Sequence, residues 1–458
     1  MDLPDFDPYD RTRLPRDIPL MVTMPTVDDD LPSGLDPEEF SAWVFGAANP
    51  TAGRGLELTP FHGLRFAPEV AGDLSTVTSP PYDLIDEQEV ARLLASDGHN
   101  IVRLILPPTA AEGATTLNGW RATGALTSDH EPSLYVYEAA TGAGPLQRGL
   151  IGALGLRSEA DGIVLPHENV YPGPVRNRLA LMEETDANLE PIFLVYEGGG
   201  DTAEIIDQVA ETPPLQEFLA DDGLIHRLWR IEDHPRISAD LRDRQALIAD
   251  GHHRYATYRA LQARRHAAGH GPGPWDYGLA LLVDSTRYPP HLGAIHRVLP
   301  ALAPQVALQR AKDAFTITPY DTLPEALQAL STAAGPAFLL GGDGLHLLTD
   351  PDPVRLARTM PPGHSDRWRR LDTAVLDHLL IDDLWQIPEN EHSVEVVHDD
   401  PAAAIERARR TSGTAVVLNP LQVEDVLAVA GEGERVPRKS TSFGPKPRTG
   451  MVLRLLTP

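Results

Sequence analysis

The stretch Ala246-Leu247-Ile248-Ala249-Asp250-Gly251-His252-His253-Arg254-Tyr255 passes from an apolar run of strand length straight into a helical pattern over 256–265. A buried strand followed at once by a helix, with Asp-Gly as the joint, is the signature of an α/β unit. Gly251 lets the backbone turn tightly and approach a ligand, and the free N–H groups and positive dipole end of the helix favour an anion. Arg254 suits a bidentate contact to phosphate oxygens, and Asp250 suits either Mg²⁺ or the orienting of a histidine. The plainer alternative is an ordinary Asp-Gly turn with two surface histidines.

Outward from this unit the alternation continues. Segments 150–154, 191–196 and 228–231 have strand composition, with a helical pattern over 178–186 between them. Upstream, 101–106 and 134–137 read as strands and 87–95 and 116–123 as helices. Downstream, 277–283, 337–340, 345–349 and 415–418 read as strands and 304–315, 324–333 and 402–410 as helices. The fold class is therefore mixed α/β. Texture divides the chain into an acidic, Pro-rich and poorly ordered extension (1–58), an N-terminal α/β segment (59–148), a phosphate-loop core (149–271) and a C-terminal α/β segment (272–458).

Composition narrows the function. The 458 residues carry 39 basic and 66 acidic side chains, a net charge of −27, which opposes any extended DNA, RNA or anionic membrane surface. No apolar tract is long enough to span a bilayer, and the start, Met1-Asp2-Leu3-Pro4, lacks the basic and apolar regions of a secretory signal. The expected compartment is the cytoplasm. With no cysteine, thiolate nucleophiles, disulfides and iron–sulfur clusters are excluded. Oxygen and nitrogen must do the chemistry.

Two further motifs can supply it. In Pro166-His167-Glu168-Asn169, Glu168 beside His167 suits a general base for a hydroxyl nucleophile, with Arg176 and Arg178 downstream. The tail Pro437-Arg438-Lys439-Ser440-Thr441-Ser442-Phe443-Gly444-Pro445-Lys446 holds two of the three lysines in an otherwise acidic chain, and suits a small polyanion as well as it suits a solvated turn. Ser79-Pro80-Pro81-Tyr82-Asp83 is a stiff turn that can present Tyr82 and Asp83 to a pocket, and His296-Arg297 ends an apolar stretch. His167, Glu168, His252 and His253 also remain competent metal ligands, as a metal-dependent hydrolase would need.

Taken in order, the blocks Ser79–Asp83, Pro166–Glu168, Asn188-Leu189-Glu190-Pro191-Ile192-Phe193, Ile248–Tyr255, His296-Arg297 and Pro437–Lys446 resemble the prokaryotic family catalogued as domain of unknown function 1015. The central part also resembles the free serine kinases of the ParB/sulfiredoxin fold, which share a His-Glu pair, a Pro-Ile strand and Asp-Gly-x-His-Arg opening a helix. That resemblance implies a ParB/sulfiredoxin-like core flanked by mixed α/β segments, and a kinase using Mg²⁺ with ATP or ADP on a small-molecule hydroxyl, free L-serine first. It implies Glu168 as base, with His167, Asp250 and Arg254 beside it. Gly251, His252, His253 and Arg254 would hold phosphate, joined by Lys439, Ser440, Thr441 and Lys446. Tyr82, Asp83, Arg178, His296 and Arg297 would line the pocket. A nucleotide or phospho-metabolite sensor would use the same loop without transfer. One departure is Asn177-Arg178, where the family has Asp-Arg.

Overall fold

Side-chain alternation along the strands sets the layering. In the strand Ile192–Tyr196, Ile192, Leu194 and Tyr196 enter one apolar cluster and Phe193 and Val195 another, on opposite faces of the sheet. Leu134–Thr141, Ala246–Asp250 and Tyr277–Asp284 alternate between the same two clusters. Both faces are covered, which is why these strands are continuous apolar runs. The computed structural model behind this description covers residues 31–32, 34–46, 55–231, 234–388 and 393–457.

The main sheet is mixed, in the order Val164–Leu165, Ala246–Asp250, Ile192–Tyr196, Tyr277–Asp284, Gly144–Gly155, Leu134–Thr141, Ile225–Ile231, Gln216–Leu219, with Leu58–Thr59 added to the end of Gly144–Gly155. Tyr277–Asp284 runs parallel to Ile192–Tyr196, and Ala246–Asp250 antiparallel to it. One face is covered by the helices Pro37–Gly46, Pro172–Thr185, Gly200–Ala210, His234–Leu241 and His252–Ala267. The helix Pro37–Gly46 lies in the stretch read as an extension and buries Phe40, Val44 and Phe45. The acidic run Asp28-Asp29-Asp30 and the turn-rich segment 49–53 fall outside the described residues.

The opposite face packs on the C-terminal segment, whose own six-stranded antiparallel sheet runs Thr316–Tyr320, Gly344–Thr349, Phe338–Gly342, Thr414–Val417, Ile295–Leu299, Glu395–His398. The end of the chain then straps back across the molecule. Ser442–Gly444 pairs with His291–Gly293, Met451 and Val452 enter the core, and Leu453–Leu455 pairs with both Gly63–Phe66 and Ala187–Asn188. The mixed α/β class holds throughout.

One element differs in kind from its sequence reading. Segment 101–106, an apolar run of strand length, contains the short helix Val102–Ile105. The side chain of Asn100 accepts from the Val102 N–H at 2.9 Å and so turns the chain into a helical first turn, while Pro107 and Pro108 end it. Apolarity alone does not separate a buried strand from a buried helical turn.

Candidate functional site

The site begins where Ala246–Asp250 ends. A register shift between Ile248 and Asp250 re-aims the Asp250 carboxylate, and Gly251 follows with φ 93° and ψ 30°. A Cβ there would lie 3.1 Å from both Arg254 Nε and Ile192 Cγ2, so this turn needs glycine on both conformational and steric grounds. Tyr255 N–H donates to the Gly251 carbonyl, leaving the N–H groups of the preceding first turn at the helix mouth.

The loop after Val164–Leu165 is buttoned onto that helix by two histidines. His252 Nε2 accepts from the His167 N–H at 3.2 Å, and His253 Nε2 accepts from the Tyr171 N–H at 3.0 Å. Both rings therefore carry their proton on Nδ1 when neutral. Burial, reinforced by Arg435, pushes the His167 imidazole down to about 3; burial and Lys439 push His253 down to about 4; and His252 lies well below the usual range through burial and its histidine neighbours. All three are neutral near pH 7. In this arrangement their Nε2 atoms hold backbone or a hydroxyl.

Asp250 is the centre of an ion cluster. Arg254 Nη2 bonds one of its oxygens and Lys446 Nζ lies 2.5 Å from the other; Lys446 Nζ also sits 3.0 Å from Asp83 Oδ2. Burial opposes ionisation of both carboxyls. Lys446 and Arg254 overcome it at Asp83, which falls below the ordinary range, and the charge on Asp83 adds to burial in raising Asp250. Arg254 is itself buried, with Nη1 donating to the Pro191 carbonyl and its guanidinium 5.8 Å from the Tyr82 ring centre, so it braces the strand end. Contact with phosphate would require one of those partners to be exchanged.

Glu168 lies beside this cluster. Its Oε1 accepts from the Thr441 hydroxyl at 3.0 Å, and the same hydroxyl is 2.9 Å from His167 Nε2. Burial raises the Glu168 carboxyl; Thr441, Lys439 and Lys446 pull it back and Asp250 adds to the rise. Thr441, Lys439 and Lys446 all arrive on the tail. Arg297 grips that tail by donating to the carbonyls of Arg438 and Lys439 at 3.1 and 3.0 Å, which holds Lys439 at φ 56°, a left-handed conformation costing about 1 kcal/mol. Arg435 bonds Glu159 and the Pro166 carbonyl, and Gln147 donates to the Pro445 carbonyl. Lys439 is exposed, and its charge acts on Glu168, His253 and His398.

The fold thus brings together Tyr82, Asp83, His167, Glu168, Asp250 to Arg254, Lys439, Thr441 and Lys446. Arg178 stacks on the Tyr82 ring at 4.4 Å. Ser440 turns inward, donating to the Pro437 carbonyl at 2.6 Å, and His296 is buried in the second sheet, where Nδ1 accepts from the Leu418 N–H. Two residues outside the sequence-derived set matter: Arg435, and Glu190, which is buried and accepts from the Tyr82 N–H and the Thr449 hydroxyl. A charged residue inside the apolar run Leu189-Glu190-Pro191-Ile192 was the available signal for the latter.

Two ligand fits follow. Behind Arg254, a cavity of about 30 Å³ between Ile105, Leu181, Glu190 and Tyr258 has room for a water or two and not for a nucleotide. A divalent ion at Asp250 does not fit either, because the Lys446 ammonium already bridges Asp250 and Asp83 where that ion would sit. Among the described residues no three His, Asp or Glu side chains form a metal-holding group, so the hydrolase reading gains no support.

The family described as "Protein of unknown function (DUF1015)" matches residues 58–374. The chain belongs to this family. No curated protein matches this DUF1015 chain. Among solved structures it is similar to a free serine kinase in complex with AMP, at 13% identity and a TM-score of 0.35 over 65% of this chain and 87% of that one. SbnI from Staphylococcus aureus, with its C-terminus truncated, gives 14% identity and a TM-score of 0.33 over 64% and 84%. A conserved hypothetical protein from Pyrococcus furiosus gives 12% and 0.32 over 65% and 90%. Among the described residues of the DUF1015 chain, no helix is long and apolar enough to cross a membrane.

Proposed function

We propose that this DUF1015 protein transfers a phosphoryl group from ATP or ADP to the hydroxyl of a small molecule, with free L-serine the first candidate acceptor. The observation that carries the reading is Glu168: a carboxyl raised by burial, held by Thr441, in one electrostatic cluster with Lys439, Lys446 and Asp250 at the mouth of the helix His252–Ala267. A base with its affinity for protons raised toward neutral pH suits proton abstraction from a hydroxyl.

In the proposed step the acceptor oxygen forms a bond to the terminal phosphorus, the bond from that phosphorus to the nucleotide's bridging oxygen breaks with its electron pair leaving on the nucleotide, and the acceptor's proton passes to Glu168. The first-turn N–H groups and Lys439 face the charge on the transferred group, while Arg254 and Lys446 keep Asp250 in place. Mg²⁺ carried in on the nucleotide would neutralise phosphate charge. The supporting facts are geometric and electrostatic; the donor, acceptor and ion come from the motif resemblance.

One observation favours a sensor instead: Arg254 and Lys446 are already paired with Asp250, which leaves fewer cations to stabilise transfer. The Glu168→Gln variant separates the two readings. The kinase reading expects turnover to drop by roughly two to four decades with nucleotide affinity unchanged. Unaltered turnover removes Glu168 from the mechanism, and nucleotide binding without turnover in the unmutated protein supports the sensor.

A further inference from the structure

We infer that Thr441 is a positioning residue, not a phosphate ligand: its hydroxyl relays a fixed hydrogen-bond polarity from His167 to Glu168 and so assembles the base only when the tail is docked. The inference rests on the reading of Glu168 as base. Its geometry is a single hydroxyl 3.0 Å from Glu168 Oε1 and 2.9 Å from His167 Nε2. A hydroxyl has one proton, and an ionised carboxylate can only accept, so Thr441 must donate to Glu168. Its lone pair then has to accept from His167, which puts that ring's proton on Nε2. The ring is 0% exposed and wedged edge-on against His252, with centroids 4.5 Å apart, and Phe443 packs on it from the tail.

The polarity is locked from behind as well. His167 donates its backbone N–H to His252 Nε2, and its carbonyl accepts from the Val436 N–H at the start of the tail. The tail therefore closes on His167 twice, through Val436 and through Thr441. The other charged groups acting on Glu168 are Asp250 at the strand end and Lys439 and Lys446 on the tail, with neutral His167, His252 and His253 beside it. A hydrogen bond donated to the charged form favours that form. Losing it leaves Glu168 protonated to higher pH and free to rotate.

The test uses full-length protein carrying carboxyl-¹³C glutamate, with the Glu168 resonance assigned by its absence in Glu168→Gln. The expected result is that T441V moves the Glu168 titration to higher pH and T441S restores it. With L-serine and ADP or ATP, kcat/KM near pH 7 should fall about tenfold in T441V, in kcat more than in KM, with the acid limb of the pH profile displaced in the same direction. A Glu168 titration identical in T441V and the unmutated protein would overturn the inference. A T441V phenotype confined to KM for nucleotide would also overturn it, in favour of a phosphate ligand. If no donor gives turnover, the kinase reading fails, yet the carboxyl titration still decides the role of Thr441. Melting curves establish that T441V is folded, and T441A serves in its place if it is not.

Discussion

Lys446 shows how a single residue sets the chemistry of its neighbours. Its ammonium is shared by Asp83 and Asp250, and the attraction of those carboxylates outweighs burial to hold the ammonium above its ordinary range. Lys446→Met leaves two buried like charges facing each other, and breaking a buried pair costs about 3 kcal/mol. The sign with pH is fixed: without Lys446 both carboxyls rise above their unfolded values, so the loss should be larger at pH 8 than at pH 5, as denaturant melts at the two pH values would show. A loss independent of pH would mean that Lys446 acts through packing. Gly251 is the other decisive residue. Gly251→Ala puts a Cβ into a left-handed turn already in contact with Arg254 and Ile192, and should cost about 1–2 kcal/mol in denaturant melts.

At the scale of elements, the loop 166–171 and the helix His252–Ala267 are joined by neutral histidines. The folded-state values of His167 and His253, about 3 and about 4, lie below the ordinary value near 6.5 of the unfolded chain. Below that value the unfolded chain takes up protons that the folded protein does not, so stability falls as pH drops from about 6.5 toward the folded values. Each histidine adds a slope of up to about 1.4 kcal/mol per pH unit. His253→Gln should flatten the melting profile between pH 6.5 and 4.5; an unchanged slope would contradict the buried, neutral state. The strands and helices of this core are legible in the sequence because the apolar runs and the Asp-Gly joint are local. Thr441 and Glu168 are 273 residues apart, and the turning of Ser440 inward and Thr441 outward depends on Arg297 holding the tail. No local pattern encodes such pairings. The helical turn at Val102–Ile105 escaped for a related reason, since the capping by Asn100 competes with a strand-like run.

Across the whole molecule, the C-terminal sheet acts on the site through the strap. Arg297, on the strand Ile295–Leu299, donates to two tail carbonyls, and Arg435 ties the start of the tail to Glu159 and Pro166. Arg297→Met should therefore raise amide hydrogen exchange over 437–446 and lower turnover, while leaving exchange in the main sheet near its original level. Protection unchanged over 437–446 would separate the second sheet from the site. The central claim, that the helix mouth, Glu168 and the tail together transfer phosphoryl groups, is tested most directly by ³¹P NMR of the full chain with Mg²⁺, ATP or ADP in separate samples, and L-serine. The account predicts a new phosphomonoester resonance that requires serine and is absent in Glu168→Gln. Broadened nucleotide signals with no new resonance for any hydroxyl acceptor would contradict it.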